Sequence, residues 1–439
     1  MKNRGRKRRK KRIRINYLRF SISIIVFLAI IILLFTGVRS LLGRNEKKTV
    51  NKTEEINDVK EEENQSLTQS QKLNDFEKVS SLIKESHPYF DQNIISKQVD
   101  WDGISETYKQ KVLKTANDSE FIDLLSEYVN QLNDEDTHIL NNEFYNYLNE
   151  KYQEENKTPW LKVLNSDKSK KTYKLLSSDI IDNLLEENAD TMTGSNLKLE
   201  KPVNGNLAYI KIKSFKDKYK EGDGKIIRDF LNEIKDYNYL VIDISGIKEG
   251  ENSYWIDNLV SPITNHHLQL FGRLAKKDDS FSEFLDYSYK NKNEYMVYGD
   301  EYPINELPVE LNSPDYIRDS FKSYLRFEIN VSPKDPVDLS AGIYLIQDKD
   351  VYGAADTFSQ FCRATGFANV LGKTTKGHGM TGEIDPILYS LPNSGLILRM
   401  PAVMGLDYSG ASTTSSGTNP DIELTKDIID IQEIVNFVH

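Results

Sequence analysis

Apolar and polar positions change their spacing several times along the chain. The first feature is a run of nineteen residues without a charge, FSISIIVFLAIIILLFTGV at 20–38. That length matches a helix through the hydrocarbon core of a bilayer, so one transmembrane helix is predicted there. The stretch 45–72 has no aromatic residue and few large apolar ones. It cannot bury the surface that folding requires, and 39–72 reads as a flexible tether. Helical spacing begins at Leu73: Phe76, Val79 and Ile83 share one stripe, and Phe121, Leu124, Leu125, Tyr128 and Leu132 share another. Pro88 interrupts the first pattern. Residues 73–140 are therefore expected to form a small N-terminal helical domain, and 141–204 a polar, mostly helical connecting region.

From 205 the spacing alternates between strand and helix. LAYIKIKSF reads as a strand, IIRDFLNEI as a helix, and YLVIDIS as a strongly apolar strand. AGIYLIQD, AADTFSQFCRAT, GLILRMPAV and DIEL continue the series. Strands alternating with helices predict an α/β core over 205–439. The segment 276–330 is rich in tyrosine (287, 289, 295, 298, 302, 316, 324) and has no clear period. It reads either as a lid over a site or as a surface insertion.

Charge changes this picture chiefly at the N-terminus. Residues 1–19 form a basic arm with eleven Lys or Arg and no acid, against four bases just after the apolar run. The positive-inside rule then puts the arm in the cytoplasm and the body outside. No small-x-small site follows the run, so an uncleaved signal-anchor is expected rather than a secretory leader. The predicted location is the cell membrane, single-pass, with the arm also touching anionic lipid headgroups. The formal net charge is −10. Because residues 1–48 carry fifteen bases against Glu46 alone, the remaining body carries −24. An acidic body argues against nucleic acid as a partner. Cys362 is the one cysteine, which excludes an internal disulfide and a multi-cysteine metal site. No metal and no cofactor are expected. A nucleotide is excluded as well: Gly366 and Gly372-Lys373-Thr374 resemble a phosphate-binding loop but leave five intervening residues where four are needed.

Chemistry could gather from three stretches. LNDEDTHIL places His138 after a helix, YLVIDISGIKEG is a strand with a Gly-bearing turn, and AGIYLIQDKDVYGAADTF is a strand, a turn and a helix. LGKTTKGHG and SGTNPDIEL follow. In the order and spacing of these motifs the chain resembles the C-terminal processing (tail-specific) serine peptidase family, with its tricorn-core and retinoid-binding relatives. The resemblance runs over about 73–432. It implies a ClpP/crotonase-like core.

It also implies where a site should lie. The family's nucleophilic serine opens an S-A-A-E turn; here the tetrapeptide is GAAD, with Gly353 at the nucleophile position. The lysine of members with a Ser-Lys dyad matches His378. The histidine of the Ser-His-Glu members matches His138, a relic base, and their acid matches Thr414. The amide of Ala354 and the turn at Gly246, Glu249 and Gly250 correspond to the oxyanion and substrate-binding region. In that turn the family's D-x-R-G-N-x-G-G reads DISGIKEG, with Ser245, Ile247 and Glu249 replacing the arginine, the asparagine and one glycine.

Acyl transfer by serine needs an Oγ, a base and donors aimed at the oxyanion. Glycine supplies no Oγ. The resemblance thus implies a serine-peptidase homologue that has lost hydrolysis and binds polypeptide. An active serine-type endopeptidase with altered machinery and a membrane-tethered scaffold are the alternatives. Residues 139–204 contain Gly194 as their one glycine and lack the glycine-rich carboxylate-binding loop of a PDZ module.

Overall fold

Two short apolar runs, Tyr239–Asp243 (β4) and Gly342–Gln347 (β8), form the middle of the largest sheet. Strands covered on both faces need apolar side chains on both, and Leu240, Val241, Ile242, Leu345 and Ile346 are all fully buried. The computed structural model describes residues 66–180, 195–291, 293–412 and 416–424. The expected basic arm, the helix at 20–38, most of the tether and Thr414 lie outside these residues. Among the described residues no helix is long and apolar enough to cross a membrane.

The first helix, α1 (Gln69–Ser86), opens on a capping box. Thr68 Oγ1 accepts from the Gln71 amide at 3.3 Å, and Gln71 Oε1 accepts from the Thr68 amide at 2.9 Å. Helix therefore begins at Gln69, inside the segment expected to be tether. Then come α2 (Phe90–Lys97), α3 (Trp101–Val112), α4 (Asp118–Asn130), the short strand β1 (His138–Ile139), α5 (Asn142–Glu154), α6 (Thr158–Leu164) and α7 (Asp167–Ile180). Residues 141–180 are not a mere connector. Leu148, Trp160 and Tyr173 share one core with Phe76, Val79 and Tyr128 of the earlier helices and with Leu388 and Leu398 from the far end of the chain.

The large sheet has six strands. β2 (Leu197–Val203) pairs antiparallel with β3 (Leu207–Ile212), and β3, β4, β8, β9 (Asn369–Gly372) and β13 (Ile422–Glu423) run parallel in that order. Because β2 belongs to this sheet, the core starts before the expected boundary at 205. The helix α8 (Asp217–Glu233) links β3 to β4, and a short helix α9 (Asn252–Trp255) follows β4.

The tyrosine-rich segment is folded, and its Tyr287, Tyr295 and Tyr298 line the cleft described below. It supplies two strands, β6 (Met296–Pro303) and β7 (Ser323–Val331), of a four-stranded antiparallel sheet that includes β5 (Leu268–Lys276), together with the helices α10 (Ser282–Lys290) and α11 (Tyr316–Ser320). After β8 comes α12 (Ala354–Thr365), whose Ala355, Phe358, Phe361 and Cys362 are buried. A third sheet joins β1, β10 (Ile387–Ser390) and β11 (Ile397–Met400), and β12 (Met404–Leu406) edges the second. In open parallel sheets ligands gather beyond the carboxyl ends of the strands, and β4 and β8 end side by side.

Candidate functional site

Beyond β8 the chain turns sharply through Tyr352 and Gly353 into α12. Gly353 has φ +62 and ψ −125. Glycine accepts that conformation freely, whereas an L side chain adopts it only under strain. The Gly353 amide donates to the Gly377 carbonyl at 3.1 Å, and its own carbonyl accepts from the Thr357 amide at 3.0 Å. A Cβ placed on Gly353 would meet nothing within 4 Å. The turn thus has the geometry of a strained strand-to-helix elbow, with open space where a side chain would stand. The first amides of α12, beginning with Ala354, have no acceptor inside their own helix.

The turn after β4 lies next to this elbow, since the Tyr352 amide donates to the Ile247 carbonyl at 3.0 Å. Asp243 anchors it by accepting from Tyr209 Oη at 2.5 Å, Lys211 Nζ at 2.8 Å and the Ser245 amide at 2.8 Å. Positive φ falls on Gly246 (+81) and Gly250 (+130), and not on Glu249. Glu249 therefore introduces no backbone strain. Its carboxylate pairs with Lys216 at 2.6 Å. Gly250 is required where it stands, because a Cβ there would lie 2.3 Å from the Phe215 carbonyl carbon.

His378 approaches from the loop after β9. Its ring stacks on Tyr352 at 5.2 Å, and its Nδ1 lies 3.2 Å from Asp136 Oδ2. Asp136 also accepts from Arg399 Nη1 at 2.7 Å and Tyr352 Oη at 3.1 Å. Burial works against ionisation of Asp136, but the charges of His378 and Arg399 hold its carboxyl below the usual range. Nε2 of His378 is buried, with no hydrogen-bond partner among the described residues. Behind it Asp356 is fully buried and accepts from Thr375 Oγ1 and Thr418 Oγ1, each at 2.5 Å, and from the Gly379 amide at 2.9 Å. Burial raises the Asp356 pKa against those hydrogen bonds.

These groups border one cleft of about 880 Å³. Gly353, Ala354, Glu249, Gly250 and His378 line it together, whereas Gly246 and His138 do not. His138 sits on β1 with Nδ1 3.3 Å from the Glu135 carbonyl and its ring against Phe144. Burial, followed by the charge of Arg399, lowers its pKa. The DTH stretch therefore gives the cleft its aspartate and not its imidazole. Asp136, Tyr352 and Arg399 are site residues that the motifs alone did not single out. The D of DTH was the available signal. Among the described residues no group of acids, histidines and cysteine is arranged to hold a metal ion.

Residues 206–424 match Peptidase family S41, and residues 69–130 match the Tricorn protease C1 domain. No curated protein matches the sequence. Among solved structures, mature CPAF complexed with lactacystin is similar over 81% of this chain and 94% of that one, with 12% identity and a TM-score of 0.50. A lipoprotein from Streptococcus agalactiae aligns over 83% of this chain and 95% of its own, at 15% identity and a TM-score of 0.44. The photosystem II D1 C-terminal processing protease aligns over 82% and 94%, at 10% identity and 0.43. At these identities the likeness to CPAF concerns the fold alone.

Proposed function

Since the chain is a homologue of Peptidase family S41 over 206–424, with a Tricorn C1 region at 69–130, we propose that it is a catalytically degenerate member that binds an extended polypeptide in the cleft beside Gly353. Members of this family bind polypeptide substrates. One observation supports the reading: the elbow before α12 has the strained φ of +62 and ψ of −125, yet the residue there has no side chain and the space for one is empty. Binding needs none of the groups that are missing, so a cleft can keep its ligand after losing its nucleophile.

The His378–Asp136 pair favours the rival reading of an altered but active peptidase, because an imidazole oriented by a carboxylate is what a base requires. The neighbouring hydroxyls speak against it. Thr357 donates to the Gly379 carbonyl, and Ser359 is buried and donates to the Ala355 carbonyl at 3.2 Å. Neither is free to attack a carbonyl carbon.

The run at 20–38 and the eleven bases before it support a single-pass anchor that holds this cleft outside the membrane. Protease added to intact cells should then degrade the body, and a shortened, freely secreted form would refute the anchor. For the catalytic claim the test is a fluorophosphonate probe, which reacts only with an activated serine. The full-length chain should remain unlabelled, and labelling within the cleft would favour the active alternative.

A further inference from the structure

One carboxylate of the cleft, Glu383, is held by neutral donors and forms no ion pair among the described residues. Glu383 lies in the loop between β9 and β10, at φ +56, and lines the cleft together with Tyr287, Tyr295 and Tyr298. Its Oε1 accepts from Tyr295 Oη at 2.8 Å, its Oε2 accepts from Asn293 Nδ2, and the Asn252 side chain also bonds to it. All three donors are neutral. Among the described residues no lysine, arginine or histidine forms an ion pair with Glu383, and the nearby charge of Glu251 has its own sign.

The cations that line the cleft are engaged elsewhere. Lys151 pairs with Glu251 at 3.6 Å, Lys157 with Glu155 at 2.6 Å and with Asp385, and Arg399 with Asp136 at 2.7 Å. A carboxylate offers about four acceptor positions, so three neutral donors leave room for one more. A cation placed there would make a charge-assisted hydrogen bond, the stronger kind, and would relieve an ionised group held partly out of water. The surrounding phenol rings are suited to an ammonium or guanidinium, which is attracted to an aromatic face within about 6 Å. Tyr298 is fixed in place by packing on Tyr289 at 5.0 Å and by donating to the Gly382 carbonyl.

We propose that Glu383 and its tyrosines are the point at which the cleft recognises a cationic group of its polypeptide, either a lysine or arginine side chain or a free N-terminal ammonium. This rests on the polypeptide-binding reading above and names the chemistry that the cleft selects. The strongly acidic body would steer such a segment toward it.

The experiment uses the full-length chain in detergent and three unstructured peptides of equal length. One is N-acetylated with a central lysine, one is N-acetylated with norleucine in its place, and one has norleucine and a free amine. Binding is followed by fluorescence anisotropy at about pH 8, far above the ordinary carboxyl range, because burial raises the pKa of Glu383. At least one cationic peptide should bind about tenfold more tightly than the neutral one, and which of the two does so identifies the source of the charge. Glu383→Gln should bring the three within about twofold while leaving the neutral peptide's affinity in place; these factors correspond to about one charge-assisted contact. Calorimetry of the wild type with N-acetyl-arginine amide and with its citrulline counterpart tests the same carboxylate without a variant or a long peptide. Peptides that bind without preference, or a preference that survives Glu383→Gln, overturn the cation site and leave polypeptide binding intact. Binding of the arginine amide but of no peptide upholds the cation site and overturns polypeptide binding. If nothing binds, both fail.

Discussion

Nδ1 of His378 lies 3.2 Å from Oδ2 of Asp136, and this contact ties the loop after β9 to the turn before β1. The same aspartate takes the guanidinium of Arg399 from β11 and the phenol of Tyr352 from the elbow, so three distant segments meet on one carboxylate. Asp136→Asn would leave Arg399 and His378 facing a neutral amide. Removing one partner from a buried pair costs about 3 kcal/mol or more. The variant should unfold at clearly lower urea concentration than the wild type, and an unchanged midpoint would show the hub to be energetically idle.

The same hub predicts a pH dependence. At Asp134 burial opposes ionisation, but the hydrogen bond and charge of His87, the charge of His378 and the hydrogen bond from Thr137 together outweigh it and the pKa falls below the usual range; at Asp136 the charges of His378 and Arg399 hold it down. A carboxyl whose folded pKa is depressed contributes stability above its unfolded value of about 3.9, and that stability is lost as pH falls through the folded value. The stability gap between wild type and Asp136→Asn should accordingly be full near neutral pH and close in acid. A gap of constant size across that range would contradict the assignment.

Gly353→Ser tests the elbow. The slot accepts a side chain without collision, but a φ of +62 strains any L residue, at a cost of about 1–3 kcal/mol. The variant should fold with a lowered melting temperature. It should restore little hydrolysis of an unfolded substrate, because Ser245 and Ile247 still occupy the turn beside it. Strong turnover would mean that the nucleophile alone had been lost.

Gly353→Trp probes binding in the same slot. The indole would fill the open space next to Ala354 and His378, so polypeptide affinity should fall by about tenfold or more, the effect of one lost contact of about 1.4 kcal/mol. Circular dichroism must show the variant folded. Unchanged capture would place the binding surface outside the cleft and favour a tethered scaffold.

Much of the architecture was legible because it rests on local spacing. The stripe of Phe76, Val79 and Ile83 is buried, the apolar runs at 239–243 and 342–347 are the central strands, and the GAAD tetrapeptide opens a helix after a strand. Strand β2 escaped notice because it is an edge strand whose residues after Leu197 are exposed or half-buried, with Pro202 within it, which reads as a polar connector. At Glu249 the local sequence did not show which turn residues take positive φ: they are Gly246 and Gly250, and at Gly250 the close approach to Phe215 requires a glycine. Asp136 was overlooked in favour of His138 because its partners, Tyr352, His378 and Arg399, come from remote parts of the chain. Spacing within one segment cannot reveal such convergence.

The central claim is that the cleft binds polypeptide without cutting it. Its most direct test is a single sample in which the full-length chain is mixed with a labelled, unstructured polypeptide, anisotropy is read over hours, and the polypeptide's mass is then measured. The account predicts a raised, saturable anisotropy and a polypeptide recovered at its original mass. Fragments that fail to form with Asp136→Asn would contradict it by showing hydrolysis at this site, and an anisotropy that never rises would contradict it by showing that the cleft binds no polypeptide.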